Sequence, residues 1–188
     1  MLIKCSLREN DNTTINIVVS VIFDTDLTQL HSMTNSWGQK RDLQLSNNQH
    51  VKVHYLLFMP EKMKNLHPHP EFFTATLAPD TFTLIEEPTL FLPHARFPPV
   101  ISAVSARRMN ADWFVFVRAE TFVYLHNLAQ IVAPLDQESA LCLGHILRGD
   151  DTAQVMSVDA GFVLSNGAMQ ILTQYVLERR EYSRGDIS

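Results

Sequence analysis

The chain has 188 residues, the size of one domain or of one domain and a fragment of a second. Its 46% hydrophobic content is ample for a core and speaks against global disorder, and no run reaches the ~18 apolar residues that a membrane span needs. Net charge is −5, and the densest basic spots, Arg107-Arg108 and Arg179-Arg180, are each two residues long, which argues against a nucleic-acid partner.

Residues 1–14 read as a tail. Met1–Asn10 holds Lys4 and Arg8 but no apolar block before a small-residue cleavage site, so as it stands it is not a signal peptide. Two expectations stay open there: a cytosolic protein, or a chain lacking the segment that sends it elsewhere. Cys5 and Cys142 make no metal-ligand spacing and no disulfide framework. Two separate thiols are the plainer expectation, one long-range disulfide the other. Asn12-Thr13-Thr14 fits the N-glycosylation pattern, which matters only in a luminal compartment.

Ile15–Phe23 is a β-branched apolar run that predicts a strand buried on both faces. Asp24-Thr25-Asp26 offers N-caps for a helix from about Leu27 to Trp37, with Gly38 as its C-cap. Val51–Met59 predicts a second strand and completes a βαβ unit. Residues 60–99 hold eight of the nine prolines and predict an insertion or loop, with a short strand near Thr81–Ile85. His67 and His69 lie there, but the intervening proline turns the two imidazoles apart and no third ligand is evident.

Val100–Asn110 has helical spacing, with Arg107 and Arg108 at the end where cations suit the helix dipole. Trp113–Val117 predicts a buried strand with Arg118-Ala119-Glu120 at its carboxyl end, followed by a helix from Thr121 to about Val132. Strands are expected at Leu141–Leu143 and Gly161–Leu164, and a helix from Asn166 to Arg180 with Met169, Leu172, Thr173 and Val176 inward. Residues 181–188 read as a frayed polar tail after one domain, 15–180. This order predicts a mostly parallel sheet with helices on both faces, in which ligands gather outside the carboxyl ends of the strands. The residues just after Val117 are therefore the best-placed site.

From Asp112 onward the sequence resembles glycosyltransferase family 31, which includes β-1,3-galactosyltransferases, fringe enzymes and core-1 synthases. The resemblance rests on Trp113-Phe114, Thr121-Phe122-Val123, Asn127-Leu128, Pro134-Leu135-Asp136, Leu143-Gly144-His145 and Ala160-Gly161-Phe162-Val163-Leu164-Ser165, in that order. Upstream, Asn35-Ser36-Trp37-Gly38-Gln39-Lys40 is similar to the family's Thr-Trp-Gly-Lys segment. The match spans roughly residues 15–59 and 100–177 and omits the Pro-rich middle. It implies a GT-A-like nucleotide-sugar-binding fold, truncated on its C-terminal side, a UDP-sugar donor, and a Golgi or endoplasmic reticulum lumen location. It also implies a nucleotide-sugar pocket built from Trp37, Arg118, Glu120, Gly144, His145 and Gly161.

In active relatives three aspartates precede the Thr-Phe-Val segment and hold a divalent cation that stabilises the departing UDP. Arg118, Ala119 and Glu120 stand in those places here, which shifts the local charge from −3 to 0. A guanidinium repels a divalent ion, and one carboxylate is a poor chelate. The expectation is a catalytically degenerate homologue with no metal or other cofactor that assists or regulates a related glycosyltransferase, as the core-1 synthase's chaperone does. That relative also carries Arg at the place of Arg118.

The alternative is an active β-1,3-hexosyltransferase. In it either Arg118 grips the donor pyrophosphate in place of the metal, or Glu120 still supports Mn²⁺. A surface Arg–Glu pair in a fold used for something else is the plainest reading of the triplet. No general base is evident: Asp150-Asp151 reads as a surface turn, and Glu178 and Glu181 as a solvated helix face. His145 is read equally as a pocket residue and as a half-buried core histidine.

Overall fold

The computed structural model describes residues 14–23, 29, 32–33, 35–39, 42–59, 82–86, 97–148, 154–156 and 160–185. The strands in chain order are β1 (Ile15–Ile22), β2 (Asp42–Gln44), β3 (His50–Met59), β4 (Phe82–Glu86), β5 (Trp113–Arg118), β6 (Cys142–Gly144), β7 (Ile146–Arg148), β8 (Gln154–Met156) and β9 (Phe162–Ser165). Three helices, α1 (Phe97–Ala106), α2 (Leu125–Val132) and α3 (Asn166–Gly185), and a 3-10 turn at Trp37–Gln39 complete the described elements.

The protein is α/β, but its seven-stranded sheet is mixed where a mostly parallel one was expected. Parallel pairs join β4 to β3, β3 to β1 and β1 to β5. Around that parallel centre, β2, β9 and β6 add antiparallel. One edge of β3 is shared: β2 takes its first residues and β4 its last. β7 and β8 form a separate two-stranded ribbon. Directly ahead of β9, Gly161 has a φ of +81°, a conformation only glycine adopts without strain. A Cβ at Gly161 would also come within 2.8 Å of Val117 Cγ1 and 3.0 Å of the Phe116 carbonyl oxygen.

Helices cover both faces, as expected. Alternation along the strands sends Ile17, Val19, Val21, Val115 and Val117 to one side, where Trp37 and the buried face of α2 (Leu125, Ala129, Val132) close over them. Val18, Ile22, Phe114 and Phe116 point to the other side, against Val100 and Val104 of α1 and Met169 of α3. Phe116 stacks on Phe162, and Phe97 tilts against Phe162, with centroids 5.1 Å apart in both pairs.

Several boundaries differ from the sequence reading, each for a local reason. α1 begins at Phe97 and ends at Ala106. Pro98 and Pro99 fall in its first turn, where the missing N–H groups would have had no intrahelical partner. Past its end, the Arg107 guanidinium donates back to the Ala103 carbonyl at 2.8 Å and caps the helix. α2 starts only at Leu125, and Thr121–Tyr124 precedes it without helical structure. α3 runs on to Gly185, so residues 181–185, expected as frayed tail, are helical. Met169 is buried, and Leu172 and Thr173 half-buried, on its inward face. Gly38 lies inside the 3-10 turn, not at a helix C-cap. Helical structure at Gln29, Ser32 and Met33 agrees with the expected second element, whose remaining residues up to Thr34, with the caps at 24–26, lie outside the described residues. Cys5, His67, His69, Asp150, Asp151 and the side chains of Glu178 and Glu181 lie outside them too.

Candidate functional site

The carboxyl ends of β1, β3 and β5 lie side by side, and the hydrogen-bond ladder runs one residue past them. The Phe23 amide donates to Phe58 O at 2.9 Å, and the Ala119 amide to Ile22 O at 3.0 Å. The Thr121 amide then donates to Arg118 O at 3.0 Å and closes a tight turn over the triplet. Within it the three side chains divide. Ala119 is buried among the core residues of the α2 face, so a carboxylate there would be desolvated without a partner. Arg118 and Glu120 remain outside and find each other, Nε to Oε1 at 2.5 Å, with 30% and 38% of their side chains exposed. The contact is an ion pair rather than a well-aligned hydrogen bond. Two carboxylates in these places would face the same way as a chelating pair; a guanidinium in the first place consumes the second.

The residues expected to form a nucleotide-sugar pocket share this end of the sheet. Gly161 precedes β9, and Gly144 closes β6 opposite Phe162, which in turn faces Phe116 of β5. His145 follows Gly144 and is exposed. Gly161 is buried against Val117, and its identity is set by that packing and by its left-handed backbone. Trp37 is buried on the α2 face, tilted against Tyr55 at 6.1 Å, and its carbonyl accepts the Tyr55 hydroxyl at 3.0 Å. Part of Trp37 reaches a cavity of about 340 Å³ that it shares with Ser36 and residues 122–127.

That cavity exposes what the sequence reading missed. Phe122 and Tyr124 stand 55% and 69% exposed beside it, their rings tilted against each other at 4.7 Å. The sequence assigned them to a helix. A signal was present: Phe122 out, Val123 in, Tyr124 out and Leu125 in is the period of two that marks an extended chain.

Other segments that carry the resemblance hold the opposite end of the sheet together. Ser165 Oγ accepts the Leu141 amide at 2.9 Å and the Ala168 amide at 3.1 Å, and donates to Ser139 O. It thereby caps α3 and pins the loop before β6. Asp136 accepts the Glu138 amide at 3.0 Å and the Ser139 hydroxyl at 2.8 Å. A side chain at Gly167 would overlap the Glu138 carbonyl. The Asp112 carboxylate accepts the Asn16 amide at 2.7 Å, its own amide donates to the Asn16 carbonyl, and its carbonyl accepts the Asn166 amide, both at 2.9 Å.

Among the described residues no group of three or more His, Cys, Asp or Glu side chains is placed to hold a metal, and no helix is long and apolar enough to cross a membrane. Cys142 is exposed at the start of β6, and partial burial pushes its thiol above the ordinary value of 9.0, the opposite of an activated nucleophile. No protein-family model matches the sequence, and no curated protein matches it either.

Proposed function

We propose that this chain is a catalytically degenerate homologue of the family-31 glycosyltransferases, with a GT-A-like fold. It acts in the lumen of the endoplasmic reticulum or Golgi by binding a related glycosyltransferase, and it transfers no sugar itself. The observation that supports this most is the Arg118–Glu120 ion pair at the carboxyl end of β5. A donor site of that family needs carboxylates that are available to a divalent ion. Here the carboxylate left at the turn already neutralises a guanidinium, and the position between them is filled by a core alanine. The chemistry lost first is metal binding, and with it the stabilisation of a departing UDP.

Thermal melting with UDP, with and without Mn²⁺, tests the reading. At a hundredfold over its Kd, a Mn²⁺–UDP complex would stabilise a competent domain by about 2.7 kcal/mol, a melting shift of roughly 5–10 °C. The expected outcome is no Mn²⁺-dependent shift, together with a higher recovered activity of a family-31 enzyme refolded in the presence of this chain. A Mn²⁺-dependent shift overturns the proposal in favour of an active β-1,3-hexosyltransferase. The partly exposed Arg118 guanidinium favours one variant of that second reading, in which it pairs with the pyrophosphate directly. UDP binding without metal, abolished by Arg118→Ala, would select that variant.

A further inference from the structure

A second cavity, of about 430 Å³, opens between α1 and α3 beside the first residues of β5, at the end of the sheet away from Arg118 and Glu120. Val104, Met109, Phe114 and Met169 give it an apolar floor, and amides such as Gln170 stand at its rim. A ligand pocket typically encloses ~300–1,000 Å³ with an apolar body and a few polar groups, and a cavity of ~150 Å³ holds one benzene. This one therefore has room for two or three rings.

Arg108 gives the cavity its charge. It is exposed, and among the described lining residues it is the one charged side chain; none is acidic. Its backbone supplies an independent observation. Arg108 has a φ of +45° just past the end of α1, where its amide donates to Ser105 O at 3.0 Å. Helices that end in this left-handed turn ordinarily place glycine there, because any side chain costs roughly 1 kcal/mol. The backbone of Arg108 ends the helix, and its side chain is left free of that task and stands at the apolar cavity. The neighbouring Arg107 turns its side chain the other way, back to the Ala103 carbonyl at the helix end.

We propose that the cavity between α1 and α3 is a binding site for a small anionic ligand with an apolar body of two or three rings, its carboxylate or sulfonate paired with Arg108. The site is independent of the reading of the triplet. The guanidinium fork supplies two parallel donors to such a head group, and the cavity floor takes the rings out of water.

Two probes with the same ring body isolate the charge: 1-anilinonaphthalene-8-sulfonate, and N-phenyl-1-naphthylamine, which lacks the sulfonate. Both are expected to bind the whole chain saturably at one site by fluorescence titration, the sulfonate more tightly. Arg108→Gly should weaken the sulfonate about tenfold, leave the neutral probe unchanged, and keep the melting temperature at or above the wild-type value. Gln170→Trp, at the exposed rim, should displace both probes by occupying the mouth. The proposal is overturned if neither probe saturates one site, if Arg108→Gly weakens both probes alike or neither, or if it lowers the melting temperature and so reveals a structural role. Sulfonate binding that survives Gln170→Trp intact overturns it as well.

Discussion

The two ends of β5 are built on different principles. At its amino end, Asp112, Ser165, Asp136 and Gly167 spend their polar groups and their lack of bulk on tying β1, β6, β9 and α3 together. Each of these residues has a structural reason to be what it is. At the carboxyl end, Arg118 and Glu120 satisfy each other on the outside of a turn, and Phe122 and Tyr124 stand in solvent beside a cavity. All four side chains are partly or largely exposed. The difference separates residues that specify the fold from residues available for binding, and the segments that carry the family resemblance contribute to both groups.

Substitution at the amino end should be costly. The largest effect is expected for Gly167→Ala, because the new methyl group meets the Glu138 carbonyl and backbone has to move at both α3 and the 136–139 loop. A loss of about 3 kcal/mol or more is expected in urea unfolding. A loss below 1 kcal/mol would show that the loop is not anchored there. Ser165→Ala comes next: it strips one hydroxyl from two amides and a carbonyl at once, at about 2–3 kcal/mol. Cysteine at 165 should recover less than half of that, since a thiol is a weak partner. Asp112→Ala removes the acceptor of the Asn16 amide and should cost about 1.5 kcal/mol, measured in the same way.

How much of this was legible in the sequence depended on what fixes each element. β1 and β5 are buried on both faces and β3 over its second half, after an alternating start, so their apolar patterns announced them, and with β5 came the position of the triplet at its carboxyl end. β2, β7 and β8 are three residues each, too short to show a period, and exist through their pairing partners. The direction of β9 escaped because a strand's pattern is the same in either direction; the positive φ at Gly161 belongs to the turn, not to the run. α1 was placed three residues late because Pro98 and Pro99 signal a loop unless the helix begins on them. In the site, the place of the triplet at the end of β5 was legible, but the burial of Ala119 depended on α2 closing over that face. Gly161 entered the expected pocket through the resemblance, whereas the role evident for it is close packing, and Ser165 of the same segment caps α3.

The smallest expected stability effect tests the contrast from the other end. Arg118→Ala, Glu120→Ala and the double variant form a cycle across the ion pair at the carboxyl turn. Both partners are about a third exposed, so water and salt screen their attraction, and the coupling should fall at about 0.2–1 kcal/mol. It should shrink further in 1 M NaCl, where the screening length is only ~3 Å. A coupling above about 2 kcal/mol, insensitive to salt, would make the pair a structural tie like Asp112 and erase the distinction between the two ends. A small coupling sharpens it. The pair is then cheap to break, and a partner protein or a phosphate that offers Arg118 a second anion has little to overcome in drawing it away from Glu120.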